Sequence, residues 1–296
     1  DDYRLQWIIG HGGMSTVWLA DDNVADREVA IKVLRPEFSN NEEFLTRFRN
    51  EARTTAALNH PGIAGVYDYG ETADQAGGAP LAYLVMELVN GEPLNAVLSR
   101  LGHLSQAQAL DLLEQTGRAL QVAHTAGLVH RDVKPGNVLL DATRTRACLG
   151  DLGSAARLDN TGHADNCGGT LLYLDPAAKP SGQVTVASDL YGLGVTLSEM
   201  LTGRYPYESI NDLEVASRLA RGLRSLPDSA YELPPETPPP ISKLIASLIH
   251  PDPAKRPKSA AEALRLLNEA AFIPWARTSG TGLVGEWEGH WPRFSD

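Results

Sequence analysis

The sequence has 296 residues, of which 43% are apolar and 21% are charged, and its formal net charge is −11. This length allows about two domain-sized units, and no apolar run approaches the roughly 18 residues of a membrane-spanning segment. The acidic balance argues against a nucleic-acid-binding surface, which needs clustered Lys and Arg, so we expect any phosphate to be held at a small local site.

Residues 1–89 are predicted to form a small lobe rich in strands. The segments 3–9, 16–20, 28–34 and 81–88 combine β-branched and aromatic residues, with turn residues between them. Residues 72–80 have the composition of a loose hairpin loop.

Within this lobe, residues 41–58 change to a helical period. The predicted apolar stripe of this helix consists of Phe44, Phe48, Ala52 and either Thr55 or Ala56.

Residues 90–272 are predicted to form a larger, mainly helical lobe. A helix over 105–126 begins with a capping box of Ser105 and Gln108 and ends before Gly127. Its predicted buried face consists of Leu110, Leu113, Leu120 and Ala123. Further helices are predicted over 188–202, 241–249 and 259–271, the last with a second capping box of Ser259 and Glu262.

The remaining residues, 273–296, form a tail without periodicity. It contains Trp275, Trp287 and Trp291 among Gly, Ser and Thr. Two interpretations stay open, a segment docked through its indole rings and a linker, and the apolar area of a Trp favours docking.

The stretch GHGGMS at 10–15 lies between two predicted strands. Its glycines allow the backbone to approach a ligand and to direct amide groups at an anion, although an ordinary hairpin has the same composition. No Gly-Lys-Ser or Gly-Lys-Thr follows, which excludes a Walker loop.

Lys32 lies on a predicted strand among apolar residues. Strand alternation places it on the same face as Ala30 and Leu34. Taken alone it fits a solvent-facing lysine on an edge strand. However, Glu51 lies beside the apolar stripe of the predicted helix, so an ion pair between the helix and the sheet is the alternative.

The segment LVHRDVKPGNVLL at 128–140 places Asp132, Lys134 and Asn137 in one loop between two apolar runs. These residues supply a carboxylate that can accept a hydroxyl proton, a cation for a phosphate and an oxygen ligand for magnesium. The spacing therefore predicts phosphoryl transfer. Further along, Asp151 in LGDLGSA fits a turn residue as well as a metal ligand.

Nine segments in order resemble the catalytic domain of eukaryotic-type protein kinases, and in particular the transmembrane Ser/Thr kinases of actinobacteria. They are IIGHGGMSTV, VAIKVL, RFRNEARTTAALNHPGI, YLVMELVNGEPL, HRDVKPGNVLL, GDLGSA, GGTLLYLDPA, SDLYGLGVTLSEMLTG and DPAKRP. The resemblance covers roughly residues 3–272. It implies an α+β fold of two lobes, with a β-rich N-lobe that carries one main helix and a larger helical C-lobe.

The resemblance also implies roles for individual residues. Catalysis would use Asp132 as the base, Lys134 at the γ-phosphate, and Lys32 at the α- and β-phosphates in a pair with Glu51. Asn137 and Asp151 would be the magnesium ligands, and Thr170 would lie in the P+1 loop that binds the substrate. The ATP-binding residues would be Ile9, Gly10, Gly12, Gly13, Val17, Ala30, Lys32, the gatekeeper Met86, Glu87, Val89 and Leu139.

Three positions depart from the pattern. Ser15 replaces a third glycine, and Leu152 replaces a Phe whose packing a Leu can provide. Ala177 replaces the Glu that usually pairs with Arg256, so we expect Arg256 to lack its partner unless another acid such as Asp175 compensates.

The segment between Asp151 and Pro176 is short and poor in hydroxyl groups. Arg131 beside the catalytic Asp suggests control by a phosphorylated residue, and Thr161 is the candidate. We expect atypical control, with Asp159 or Asp165 as alternative sources of negative charge.

The leading interpretation is a Ser/Thr protein kinase that uses ATP and Mg²⁺, for which Mn²⁺ can substitute, and that acts on protein substrates in bacterial signalling. A pseudokinase that binds nucleotide without transfer is the alternative, and a small-molecule phosphotransferase is a third. Homodimers are known among similar kinases, but the residues themselves do not predict one.

Two further expectations concern location. Cys148 and Cys167 form no CxxC pair and no zinc spacing, so we expect free thiols in a reducing cytoplasm. The sequence begins at Asp1 without a leader pattern, so we expect it to be part of a longer protein that contacts a membrane only through other segments.

Overall fold

A computed structural model describes residues 2–72, 81–152, 156–157, 164–165, 171–178, 183–206 and 237–271. Over these ranges an antiparallel sheet dominates the N-terminal part and helices dominate the C-terminal part. The α+β architecture of two lobes is thereby confirmed. The predicted loop over 72–80, apart from Thr72, and the tail over 273–296 lie outside the described residues.

The small lobe is built on one five-stranded sheet. Its strands are β1 (Tyr3–His11), β2 (Ser15–Asp22), β3 (Arg27–Leu34), β4 (Val66–Thr72) and β5 (Leu81–Glu87). They are antiparallel in the order β1-β2-β3-β5-β4. Since β3 lies in the middle of the sheet, the edge-strand interpretation of Lys32 is wrong.

Two faces of this sheet are packed differently. On one face, Leu34 and Leu84 pack with the helix α2 (Glu42–Ala56), which follows the short α1 (Pro36–Ser39). On the other face, Val29 and Ile31 form a separate apolar cluster. This alternation was predicted, and it places Lys32 on the face that carries α2.

Helix α2 begins at an N-cap, where the Asn41 side chain accepts a hydrogen bond of 2.9 Å from the Glu43 amide. Its buried residues are Leu45, Phe48, Glu51, Ala52 and Thr55. The predicted stripe is confirmed at Phe48, Ala52 and Thr55, the first of the two alternatives, but Phe44 is only half-buried. Phe44 instead packs against Phe38 of α1, with ring centroids 4.8 Å apart.

The large lobe has its core around α4 (Gln106–Thr125). The other helices are α3 (Leu94–Leu101), α5 (Val186–Thr202), α6 (Pro239–Leu248) and α7 (Ala260–Ala271). Short strands are β6 (Gly91–Pro93), β7 (Leu128–Val129), β8 (Val138–Asp141), β9 (Ala147–Leu149), β10 (Ala156–Arg157), β11 (Ala164–Asp165) and β12 (Gln183–Val184). No end of a predicted helix differs from the observed end by more than two residues.

The prediction for α4 is confirmed in detail. Ser105 and Gln108 form the capping box, and Gly127 follows the helix with φ of 75°. The four predicted apolar residues are buried in the large-lobe core. At α7 the second capping box is incomplete, because the Glu262 carboxylate accepts from the amide of Lys258 rather than from that of Ser259.

Among the described helices, none has the length and apolar character to cross a membrane. The free thiol of Cys148 is buried in β9, and burial raises its pKa to about 11. Cys167 lies outside the described residues.

Candidate active site

Lys32 joins the two lobes. Its Nζ lies 2.7 Å from Oε1 of Glu51 on α2 and 2.9 Å from Oδ1 of Asp151, which follows β9 in the large lobe. Burial alone would lower the pKa of Lys32, but the two carboxylates outweigh it and hold the pKa above its ordinary value. Lys32 is therefore a fixed cation between two acids.

Asp151 has a backbone with φ of 53°, which an Asp tolerates better than most residues. The positive charge of Lys32 lowers its pKa, against a smaller opposing effect of burial. The carboxylate is ionised at neutral pH, as a metal ligand must be.

A second group of polar residues lies in the loop between β7 and β8. The Lys134 Nζ is 2.6 Å from Oδ2 of Asp132. The Asn137 Nδ2 donates to the backbone oxygen of Asp132 at 2.7 Å and to its Oδ2 at 3.0 Å. The 3₁₀ turn Pro135–Asn137 thus brings the three predicted side chains together.

The loop also contacts the residue before Asp151. The Gly150 amide donates to the Asn137 carbonyl at 2.8 Å, so Asn137 and Asp151 are neighbours across two loops. Because Nδ2 of Asn137 is used by Asp132, its side-chain oxygen remains as a ligand atom. One carboxylate and one amide oxygen suit a hard divalent cation. The described residues contain no cluster of three or more His, Cys, Asp and Glu side chains that would hold a metal by itself.

Asp189 of α5 supports the loop between β7 and β8, although no role was predicted for it from the sequence. Its carboxylate accepts the amides of His130 and Arg131, each at 2.8 Å, and lies 2.7 Å from Nε2 of His124. The Arg131 backbone has φ of 70°, an uncommon conformation that the bond to Asp189 stabilises. A signal was present, since Asp189 is an acid that directly precedes the apolar run of α5 beginning at Leu190.

His130 is a second residue that the sequence analysis did not assign. It is completely buried, and its Nε2 lies 3.0 Å from the carbonyl oxygen of Gly150. Its Nδ1 accepts the amide of Asp132 at 3.3 Å, so a neutral ring with its proton on Nε2 satisfies both contacts. His130 thereby joins the Asp132 loop to the Asp151 segment.

The predicted nucleotide-binding residues lie on β1, β2, β3, β5, β8 and the connector between the lobes. Gly10 pairs with Val17 across β1 and β2, and Ala30 pairs with Met86 across β3 and β5. Ile9 is on β1, Leu139 on β8 and Val89 on the connector that follows Glu87. The Gly12 amide donates to the Ser15 carbonyl at 2.8 Å, which closes the turn that also contains Gly13.

Of the two alternatives for Arg256, compensation by Asp175 is confirmed. The Asp175 carboxylate makes two hydrogen bonds with the Arg256 guanidinium, at 2.6 and 2.8 Å. An acid two residues before Ala177 therefore occupies the role of the missing Glu. The two further departures are both buried: Leu152 lies in the large-lobe core, and Ser15 lies at the start of β2.

A cavity of about 510 Å³ opens beside Lys134. It lies between α3, the Asp132 loop and the end of α5, and Tyr173, Glu199 and Tyr205 line its far side. The predicted P+1 residue Thr170 and the candidate phosphosite Thr161 lie outside the described residues, as does Asp159; only the backbone of Asp165 is described.

Comparison with known proteins shows that this chain is similar to protein kinases. The family model described as "Protein kinase domain" matches residues 3–267. The serine/threonine-protein kinase PknA of Mycobacterium tuberculosis is 49% identical over 262 residues, which are 87% of this chain and 58% of that protein.

Two further relatives extend the comparison. Serine/threonine-protein kinases PknA of Corynebacterium glutamicum is 44% identical over 86% of this chain and 53% of its own length. Serine/threonine-protein kinase PrkC of Bacillus subtilis is 37% identical over 87% of this chain and 39% of its own length. The chain thus spans between about two fifths and three fifths of these relatives.

Proposed function

We propose a function from the premise that this chain belongs to the protein kinase domain family. The proposed function is transfer of the γ-phosphate of ATP to Ser and Thr hydroxyls of proteins. The family implies ATP and a divalent metal. Mg²⁺ is our specific choice, with Mn²⁺ as a substitute, because the ligand atoms of Asp151 and Asn137 are oxygens. The acceptor class follows from Lys134 in the HRDVKP segment, which is typical of Ser/Thr kinases.

One observation carries this proposal: Lys32 contacts Glu51 and Asp151 together, at 2.7 and 2.9 Å. Phosphoryl transfer needs the lysine–glutamate pair and the metal-binding Asp to be in place at the same time. A site in which one lysine already meets both acids supports transfer rather than nucleotide binding alone.

The remaining residues complete the chemistry. Asp132 would accept the proton of the substrate hydroxyl. The hydroxyl oxygen would then form a bond to the γ-phosphorus, while the bond between that phosphorus and the bridging oxygen of ADP breaks. Lys134, already 2.6 Å from Asp132, would hold the transferred phosphate. A bound Mg²⁺ would neutralise charge on the phosphate oxygens.

The proposed nucleotide site lies between the lobes. Glycines 10, 12 and 13 would cover the phosphates, and Ile9, Val17, Ala30, Met86 and Leu139 would surround adenine. The backbone of Glu87 and Val89 would hydrogen-bond to it. The cavity beside Lys134 is a place where a protein substrate would bind. We assign residues 1–89 and 90–272 to the two lobes.

Arg131 adjoins the catalytic loop, so phosphorylated Thr161, or an acid near it, would act through this residue. Thr170 would contact the substrate.

We propose cytoplasmic catalysis, with membrane contact only through segments outside this sequence. We also propose homodimer formation, as in similar kinases.

The test is incubation with labelled ATP, Mg²⁺ and a generic basic protein, beside an Asp132→Asn variant. Label on Ser or Thr that disappears in the variant supports the proposal. Nucleotide binding without transfer in the wild-type protein would show a pseudokinase, and label confined to small metabolites would show a small-molecule phosphotransferase.

A further inference from the structure

The connector between the lobes is held along one side by a single turn of the large lobe. Residues 88–90 join β5 to β6, and residues 142–146 join β8 to β9. The Ala142 amide donates to the carbonyl of Asn90, the last residue of the connector, at 2.7 Å. Arginines of the same turn contact an acid at each end of the connector. We call residues 142–146 the arginine turn.

At the first end, Arg146 holds Glu87. Both Nη atoms of the guanidinium contact the carboxylate, with Nη2 at 3.1 Å from Oε2. This fork geometry is specific to Arg and stronger than a single contact. The hydrogen bonds from Arg146 keep the pKa of Glu87 below its ordinary value, so the pair is ionised at neutral pH.

Arg146 also contacts the loop that follows α2. Its Nε donates to the Pro61 carbonyl at 2.6 Å. The same loop meets Glu87 through Gly65, whose amide donates to Oε2 at 3.2 Å and whose carbonyl accepts the Glu87 amide at 2.8 Å. The Arg146 guanidinium thus joins the connector to the loop that follows α2, the helix on which Glu51 lies.

At the second end, Arg144 holds Glu92. Its Nη2 lies 2.7 Å from Oε1 of Glu92, and Arg100 of α3 contacts both oxygens of the same carboxylate at 2.7 and 2.9 Å. The strands here are too close for a side chain at Gly91, where a Cβ would lie 1.8 Å from the Leu140 carbonyl oxygen. The connector therefore ends in a close backbone contact and a three-residue ion cluster.

The arginine turn is itself fixed to the large lobe. Asp141 accepts the amides of Thr145 and Arg146 at 2.9 and 3.1 Å. Gln115, on the central helix α4, accepts the Ala147 amide at 2.8 Å and donates to the Thr145 carbonyl at 3.2 Å. The arginine turn thus links the large-lobe core to the connector through hydrogen bonds on both of its sides.

We propose that the arginine turn is a clamp that fixes the connector for nucleotide binding, with Arg146 and Arg144 as positioning residues. The inference rests on the proposed function, which assigns the connector backbone to adenine. Ordering a binding segment before the ligand arrives reduces the entropy lost on binding. Release of the clamp therefore weakens nucleotide binding more than it slows phosphoryl transfer.

The experiment measures Mg-ADP affinity by calorimetry, and KM for ATP and kcat, in Arg146→Gln, Arg146→Lys and Arg144→Gln. Arg146→Gln is expected to raise the Kd and the KM about five- to tenfold with a change in kcat of less than about twofold. The Kd and KM of Arg146→Lys are expected to lie between those of the wild-type protein and Arg146→Gln, because a lysine keeps the positive charge but cannot make the two parallel hydrogen bonds of the guanidinium. Amide exchange over residues 86–93 is expected to accelerate in the same order.

Arg118→Gln is the matched control, because Arg118 forms an exposed pair with Glu114 one turn away on α4. Unchanged Mg-ADP affinity in Arg146→Gln, or a lower kcat at unchanged affinity, overturns the clamp. If Arg146→Gln fails to fold, Arg144→Gln at the other end of the connector provides the same comparison. If the wild-type protein binds Mg-ADP but transfers no phosphate, the proposed function is refuted. The clamp is still tested in that case, because the Mg-ADP affinities of the variants can be compared with that of the wild-type protein.

Discussion

Arg256 and Asp175 lie 81 residues apart in sequence and form a buried, doubly hydrogen-bonded ion pair. Arg256 is 2% exposed and Asp175 is 3% exposed. The guanidinium also donates to the carbonyls of His250 and Ala187, and the carboxylate also accepts from the Ser188 hydroxyl. The pair connects the segment before α5 to the loop between α6 and α7.

Asp175→Ala is expected to lower the free energy of unfolding by about 3–5 kcal/mol, because it leaves the Arg256 charge buried without a counter-ion. Urea unfolding followed by circular dichroism measures this loss. A loss below about 1 kcal/mol would contradict the assignment of Asp175 as the partner that fixes Arg256.

The matched variant is Asp175→Ala combined with Ala177→Glu, which returns the acid to the position that the family pattern prefers. Ala177 is half-buried and lies beside the pair, since its amide donates to Oδ1 of Asp175 at 2.9 Å. We expect the double variant to recover part of the lost stability. Ala177→Glu alone is expected to add little, because Arg256 is already satisfied.

The elements that the sequence predicted well depend on local contacts. The Ser105 capping box and the face of α4 follow from residues within one or two turns of each other, and the alternation on β3 follows from the strand period. The helical period predicted from residue 41 begins one residue before α2, for which Asn41 is the N-cap.

The elements that the sequence analysis missed lack such local signals. Helix α3 begins after Pro93 without a side-chain cap, and β4 is an edge strand that is only partly buried. The contacts of Asp189 with residues 58 and 59 positions away depend on the tertiary fold. The sequence named Asp175 as an acid that could compensate for Ala177, but the choice between a compensated and an unpaired Arg256 needed the tertiary contact between residues 81 positions apart.

Lys32→Met is expected to lower kcat/KM for phosphoryl transfer by about 10² or more, because it removes a cation that is positioned before the reaction. It also leaves Glu51 and Asp151 without the charge between them. Steady-state kinetics with a basic protein substrate measure the loss. Lys255→Met, at an exposed lysine, is the control and should behave as wild type; a drop of less than tenfold for Lys32→Met would contradict this role.

Asp189→Asn is expected to lower kcat while KM for ATP changes little. The amide cannot accept from all three of its donors, so the backbone of His130 and Arg131 loses support. We also expect a loss of about 1–3 kcal/mol in unfolding free energy. An unchanged kcat in a variant that has lost stability would show that Asp189 supports the fold without positioning the loop.

Glu199→Gln is expected to raise stability at neutral pH and to flatten its dependence on pH. Burial raises the pKa of Glu199 above its ordinary value of 4.5, against the opposing hydrogen bond of 2.5 Å from the Tyr173 hydroxyl. The folded state therefore favours the protonated acid, and stability falls as pH rises from the unfolded value of 4.5 through the higher folded pKa. A Gln stays neutral, and its side-chain oxygen can still accept from Tyr173. Burial, which is the main cause of the raised pKa of Tyr173 and remains in the variant, keeps that hydroxyl protonated.

Urea midpoints measured between pH 4 and pH 8 test this expectation. The difference between Glu199→Gln and wild type should be smallest at pH 4 and should grow in favour of the variant as pH rises. Tyr173→Phe is the companion variant, because it removes the hydrogen bond that holds the charged form and should steepen the decline with pH. A wild-type protein that is more stable than Glu199→Gln at pH 7 would show that the ionised carboxylate at this cavity stabilises the fold.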